Sequence, residues 1–491
     1  MVSLTSLVKS ATISLLATLP TSLASPLTHH LAARDYESAG NTISPAVVYN
    51  NTIVEQRADP HILKHTDGQY YLAATVPAYD KVVLRSASTI QGLQDAEEVT
   101  IFERHGIYNG YVWAPELWHI DGKWYVYVAL GVNGTWNIRP GVLEGVGDNP
   151  LTAKWTVKGT VKTNWETFSL DMHYFQANGV KYLTWAQNDP DSGEGGTGLY
   201  LAPMKNPWTV ELPATRISYP DLPWERIGHN VNEGAAVIKR GGKLFLAYSA
   251  SATDHNYRVG LLTADEDADL MDPSSWKKSP TPVFGSNNET SQYGPGHNSF
   301  TVSEDGKSDI FVYHDRAYKD IQGDPLNNPD RRTRVQKLYW RADGTPDFGI
   351  PVPDGLTPIR LRSSADERLY VRHKGSEQAV AEGDIDELAE TQFRIVEPGL
   401  AGRGTVSLES TNLPGQYLYQ SHGGIALSKN NGSQRFKATA SFKQVKGLSD
   451  KKGVSFKAIG YGNEYIKVGH KSRLDVGHVG KKREWATFYL E

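Results

Sequence analysis

Three carboxylates and one histidine recur at matching places in a repeated phrase. They are Asp59 in Arg-Ala-Asp-Pro, Asp171 in Ser-Leu-Asp-Met-His, Glu233 in Asn-Glu-Gly-Ala and His297 in Gly-Pro-Gly-His-Asn. A fifth phrase, Trp-Ala-Pro-Glu, brings Trp113 and Glu116 to the same place. Two carboxyl groups facing each other can add water across a glycosidic bond: one activates the water and the other protonates the leaving oxygen. When the configuration inverts, the pair stands about 6.5–9.5 Å apart, leaving room for the water. A third carboxylate beside the acid raises its pKa by like-charge repulsion and keeps it protonated near working pH. Taken singly, each of these acids is most simply a solvated surface or turn residue. Their recurrence at one place in three repeats argues for chemistry.

That recurrence needs a scaffold. Each phrase lies six to nine residues ahead of a turn glycine that opens an aromatic, alternating strand. The turns are Asp67-Gly68, Asp121-Gly122, Asn178-Gly179, Gly241-Gly242 and Asp305-Gly306, with glycines 54, 57, 63 and 64 residues apart. Such dipeptides suit tight hairpins because their residues tolerate positive φ. A hairpin repeat of this length predicts a propeller with one four-stranded blade per copy, hence five blades. The strand before each turn is then the innermost of its blade, and radial symmetry brings Asp59, Asp171 and Glu233 to one end of one funnel.

After Gly355-Leu356-Thr357-Pro358 the pattern changes. Tyr370, Tyr417 and Tyr465 open similar phrases 47 and 48 residues apart, each followed later by Phe393, Phe442 or Phe488. Three copies of this size predict a β-trefoil, with an eight-stranded sandwich as the alternative. The expected fold class is therefore all-β: a five-bladed β-propeller over 45–358 followed by a β-trefoil over 359–491.

The composition agrees. The 491 residues include 50 aromatics but only 4 Met, which favours sheets over helical cores. A net charge of −4 gives no basic surface for nucleic acid, and the absence of cysteine removes disulfides, thiol catalysis and thiolate metal sites. Lys9, the apolar stretch Ala11–Leu19 and Ser22-Leu23-Ala24 read as a secretory signal over 1–24, followed by an N-terminal segment, 25–44. No stretch is long and apolar enough for a membrane helix. Sequons at Asn50, Asn133, Asn288 and Asn431 fit a secreted glycoprotein, expected to be a monomer.

The five phrases, with Arg331-Arg-Thr-Arg-Val-Gln-Lys-Leu-Tyr-Trp340-Arg-Ala-Asp-Gly344, resemble glycoside hydrolase family 43 from about Pro45 to Pro358. The resemblance implies a five-bladed propeller of inverting arabinofuranosidases, arabinanases and xylosidases. It implies Asp59 as general base, Glu233 as general acid and Asp171 as pKa modulator and positioner of the acid. Trp113 becomes a stacking wall of the sugar subsite and Arg331 a hydrogen-bonding arm. His297 falls near the channel centre, either as a ligand of a structural, calcium-like ion or as a buried histidine satisfied by backbone; no cofactor is otherwise required. Glu116 reads as a structural partner within its blade.

Residues 361–491 resemble the arabinofuranose-binding trefoil of carbohydrate-binding module family 42. That family pairs a histidine with a carboxylate in each lobe, and here the first lobe alone retains such a pair, His373 with Glu390. Gln420 and Thr439 in the second lobe, and Val468 and Trp485 in the third, cannot form it. The expected function is a secreted exo-acting α-L-arabinofuranosidase on plant cell-wall arabinan or arabinoxylan. Asp189–Gly198 and Tyr318–Asp330 are the loops that would decide exo against endo action. A β-xylosidase, another furanosidase such as a galactofuranosidase, and a non-catalytic cell-wall lectin are the alternatives.

Overall fold

The computed structural model describes residues 46–491 apart from Glu194, Asp384, Gly423 and Tyr461. The expected signal and the segment after it lie outside the described residues. Among those described, the α-helix content is one six-residue turn, Gln434–Thr439, and no helix is long and apolar enough to cross a membrane.

Five small antiparallel sheets follow one another in chain order. Blade one is Ala58–Lys64, Tyr70–Thr75, Lys81–Ala87 and Val99–Glu103. The inner strands of the other blades are Val112–Ile120, Ser169–Ala177, Asn232–Arg240 and Tyr293–Val302. Each repeated turn glycine follows its inner strand with a φ between 71° and 85°. In blades two, three and four the connection is two residues long with both φ values positive, the geometry that matches the twist of the paired strands.

The chain before blade one closes the ring. Blade five has three strands of its own, ending in Arg332–Lys337, and Asn51–Val54 runs along that edge. The Asn51 side chain donates to Val335 O (2.7 Å) and accepts from Val335 N (3.0 Å), while Ile53 N donates to Thr333 O (3.0 Å). An otherwise open edge is thereby paired. Between blades the core is aromatic. Trp124 and Tyr71 fill the first boundary, Trp185 and Tyr200 a later one, and Phe245 and Phe311 another. Each phenylalanine is fully buried, worth roughly 1.5–3 kcal/mol.

All five inner strands carry a β-bulge at the same level. Pairing skips Asp59-Pro60, Ala114-Pro115, Asp171-Met172, Gly234-Ala235 and His297-Asn298, in each case against one residue of the neighbouring strand. The first residue of every bulge is left-handed, with φ of 53°, 45°, 56°, 56° and 42°.

The C-terminal region is a trefoil. Ile359–Ser363, Gln392–Val396, Ser407–Ser410, Phe442–Lys446, Val454–Ala458 and Phe488–Leu490 close a barrel, completed by the bridge Val406 to Phe442. Three hairpins, opened by Tyr370, Gln416 and Glu464, cap it. Phe393, Phe442 and Phe488 are buried in its core, which explains their spacing. Arg394 donates to the carbonyls of Pro353 and Leu356, and Arg360 lies over the rings of Tyr339 (5.2 Å) and Tyr370 (3.6 Å), joining the trefoil to the propeller.

Candidate active site

The bulges aim the chemistry. A left-handed residue inside a strand costs on the order of 1–2 kcal/mol for most side chains, and a bulge redirects its side chain away from the sheet. Asp59, Asp171 and His297 occupy that position in blades one, three and five. Glu233 does not share it. Gly234 takes the bulge in blade four, and Glu233 stands one residue earlier, in register with Trp113 of blade two. The expected equivalence of the three acids therefore holds for two of them. A Cβ at Gly234 would crowd His297 Cγ at 3.0 Å.

The acids converge on one another. Asp171 Oδ2 accepts from Gly234 N (3.0 Å), which ties blade three to the residue after Glu233. His297 Nδ1 lies 3.4 Å from Asp59 Oδ1 and 3.8 Å from Asp171 Oδ2. Arg331 donates to Asp59 Oδ1 (3.3 Å) and to the Tyr79 hydroxyl (3.0 Å). Tyr257 donates its hydroxyl to Glu233 Oε1 (2.8 Å), and a Cβ on Gly296 would strike the Tyr257 ring at 2.4 Å.

Their proton affinities are pushed apart. Burial raises the pKa of Asp59, but His297 and Arg331 outweigh it and hold the carboxylate well below its usual range. Asp59 N donates to His314 Nδ1 (3.0 Å), so that nitrogen carries no proton, and burial pushes His314 down to about 3. The 3.3 Å approach of the same nitrogen to Asp59 Oδ1 is thus a contact between two acceptors and stabilises nothing. For Asp171 burial dominates; His297 offsets part of it, and Glu233 and Asp59 help push the pKa up to about 7. Glu233 is raised in the same direction, by burial first and against the Tyr257 hydrogen bond and His297. Glu233 itself is half-buried. Burial lowers the His297 pKa, but Asp59, Asp171 and Glu233 reverse the sign and favour the imidazolium.

Aromatic rings wall the funnel. Trp113 packs edge-on against Tyr79 (5.7 Å) and stacks with Tyr111 (4.8 Å, 25°), and its indole N–H makes no hydrogen bond within the protein. Tyr79 also donates to Leu326 O, in the Pro325–Asn327 turn of the expected closing loop. The fully buried Arg316 holds that loop by donating to Asn328 Oδ1 (2.9 Å), Pro325 O (2.8 Å) and Thr253 O (2.7 Å). Asp189, in the other expected loop, accepts from Tyr200 (3.0 Å) and Arg216 (3.0 Å).

Other expected residues have different employment. Glu116 is paired below the funnel with His173 Nδ1 (3.0 Å) and Trp118 Nε1 (3.0 Å), the structural role anticipated for it. His297, itself buried, faces two carboxylates, Asp59 and Asp171. A calcium-like ion takes six to eight oxygen ligands, and among the described residues no three His, Asp or Glu side chains gather to hold a metal.

In the trefoil, His373 and Glu390 form no clamp. His373 is 1% exposed, with Nε2 at 2.8 Å from Asn412 Oδ1 and 3.2 Å from Ser410 Oγ. Glu390 accepts from Arg372 (2.6 Å) instead. Tyr257, Tyr79 and His314 escaped the sequence analysis because no local phrase marks them; Tyr257 and Tyr79 sit on loops of the same blades as Glu233 and Asp59, while His314 reaches Asp59 from blade five, 255 residues away.

A radial sheet assembly that gathers three carboxyls in an aromatic funnel, one with lowered and two with raised proton affinity, is the architecture of an acid–base glycoside hydrolase. Residues 49–346 match the glycosyl hydrolases family 43 domain, and residues 359–488 match the alpha-L-arabinofuranosidase B domain. The chain belongs to glycosyl hydrolases family 43. It is 57% identical over 462 residues to alpha-L-arabinofuranosidase 43 of Humicola insolens, covering 92% of this chain and 96% of that protein. It is 54% identical over 410 residues to the extracellular exo-alpha-(1->5)-L-arabinofuranosidase of Streptomyces avermitilis, covering 83% and 85%. The crystal structure of alpha-L-arabinofuranosidase from Lactobacillus brevis superposes with a TM-score of 0.60 at 48% identity, covering 62% of this chain and 98% of that one.

Proposed function

We propose that this protein is a secreted exo-acting α-L-arabinofuranosidase that removes terminal arabinofuranose from arabinan or arabinoxylan with inversion. The observation that carries the reading is the opposite drift of Asp59 and Glu233 within one funnel. Asp59, kept ionised by Arg331 and His297, takes a proton from the water that attacks the anomeric carbon. Glu233 gives its proton to the glycosidic oxygen as the bond to that carbon breaks. Charge on Asp59, and on Asp171 once it ionises, disfavours the Glu233 carboxylate, so the proton stays until the leaving oxygen takes it. Water supplies the new C–O bond, and the proton that Asp59 gains returns to solvent.

Exo action is supported by the Arg316 clamp, which holds the Pro325–Asn327 turn against Tyr79 and closes the funnel beside Asp59 and Arg331. Secretion is supported by the naming of the Streptomyces relatives and by exposed asparagines at all four sequons. The test is product profiling on linear arabinan, with proton NMR following the anomer first released. Arabinose alone, born in the configuration opposite to the substrate, is expected. Xylose as the main product from mixed substrates, or binding with no sugar released, overturns the reading.

A further inference from the structure

Trp136 has 57% of its surface exposed, more than any other large apolar side chain among the described residues. Water does not favour such a ring, and an exposed indole beside a working funnel calls for an occupant. It is held in place firmly. Its loop, between the second and third strands of blade two, is pinned by Val132 N to Asn137 O (2.9 Å), Asn137 Nδ2 to Val132 O (2.7 Å) and Gly134 N to Asn109 Oδ1 (3.0 Å). Backbone contact so close that a Cβ on Gly110 would meet Gly134 O at 2.3 Å seats the loop against the neighbouring segment.

The ring also continues the funnel wall. Trp136 stands edge-on to Trp113 (5.6 Å, 70°) and to Tyr111 (5.3 Å, 86°), which themselves stack. Exposure rises outward along this row, from Tyr79 and Trp113 at 6% and 7% to Trp136 at the rim. A pentose offers apolar C–H faces to an aromatic ring and hydroxyls to water, so a graded row of rings suits successive sugars of one chain. In an exo enzyme the innermost position takes the terminal sugar, and every other unit belongs to the leaving group.

Resting on the function proposed above, we propose that Trp136 is a stacking platform for leaving-group sugar units and sets the preference for oligosaccharide chains over small glycosides. The platform is a specificity determinant, separate from bond cleavage.

The test compares the wild type with Trp136→Ala and Trp136→Phe on an aryl arabinofuranoside, arabinobiose and arabinopentaose. With Ala, KM for the pentaose is expected to rise on the order of tenfold, with the aryl substrate changed by less than about twofold. Phe restores most of the loss. An equal loss on the aryl substrate means that Trp136 merely props Trp113, and an unchanged pentaose KM means that nothing stacks there; either result overturns the proposal. Calorimetric binding of arabinopentaose to Glu233→Ala, with and without Trp136→Ala, reads the platform without turnover. Wild type that cleaves no arabinofuranoside while Trp136 still governs binding sinks the enzymatic reading and leaves the platform standing.

Discussion

The funnel and the first trefoil lobe contain the same ingredients, a buried histidine with carboxylates nearby, and use them oppositely. In the lobe the charges around His373 are paired locally. Arg372 joins Glu390 and Glu382, Lys374 also reaches Glu382, and His373 is capped by Asn412 and Ser410. In the funnel three carboxyls share one histidine and one arginine, and two of the three keep raised proton affinity. Compensated groups hold a structure together. Groups left short of compensation can exchange protons, and the bulges are what keep them short by forcing like charges toward a common centre.

The strongest way to break this comparison is to remove the uncompensated groups. Glu233→Ala and Asp59→Ala are each expected to lower kcat on an aryl arabinofuranoside by on the order of 10³–10⁴-fold, since each removes a proton-transfer step. Neither variant should melt earlier than wild type by much, and Asp59→Ala relieves a buried charge while stranding Arg331. Differential scanning calorimetry beside the rates separates the two effects. Retention of wild-type turnover in Glu233→Ala would remove the acid from the mechanism.

Asp171→Asn sharpens the same point through pH. Activity needs Asp59 ionised and Glu233 protonated, so it falls on the acid side as Asp59 takes up a proton and on the alkaline side as Glu233 loses one. Asp59 lies well below its usual range, which places the acid limb low; the raised Glu233 places the alkaline limb high. Asparagine removes a carboxyl that shares its titration with Glu233 and, once ionised, discourages ionisation of Glu233. The alkaline limb of kcat/KM should therefore move to lower pH, with kcat reduced by about 10²-fold. A limb that stays in place assigns Asp171 to positioning alone.

The sequence made the architecture legible because a propeller repeats its local signals. Each turn glycine announces a hairpin regardless of what surrounds it, and the acids sit at a fixed offset before it. What stayed hidden depends on distant chain. Asn51 and Ile53 close blade five from the far end of the domain. His314 takes the backbone proton of Asp59 across 255 residues. The left-handed bulge that separates Asp59 and Asp171 from Glu233 by one position leaves only a weak trace in sequence, the glycine after Glu233. His373 belongs with these: its type suggests a sugar clamp, and only the fold brings Asn412 and Ser410 to its ring.

Arg316 offers a smaller effect between the two regimes. Its guanidinium is buried, with its pKa lowered to about 10 chiefly by burial, and it donates to two carbonyls and one side-chain amide of the loops it ties together. Arg316→Met strands those acceptors and frees the turn that bears on Tyr79. A loss of about 2–3 kcal/mol in stability is expected, read by chemical denaturation. Linear arabinan should then yield arabinobiose and longer products beside arabinose. Arabinose as the sole product would show that closure of the funnel does not depend on this clamp.

The smallest effect is expected in the lobe, and it decides whether the contrast is real. His373→Ala removes a fully enclosed ring that packs edge-on to Phe393 at 6.0 Å and meets Asn412 and Ser410. Ser410 Oγ donates to Asn412 Oδ1 at 2.6 Å, so that acceptor keeps a partner when the ring is gone. The loss is then mainly packing, about 1–3 kcal/mol, seen as a lower denaturation midpoint. Turnover of the aryl arabinofuranoside and retention of the protein on an arabinoxylan affinity gel should both match wild type, because a residue that spends its hydrogen bonds inside the barrel has none to offer a sugar. Loss of retention in a variant with an unshifted midpoint would mean that His373 reaches ligand after all, and that the lobe, like the funnel, keeps part of its polar chemistry in reserve.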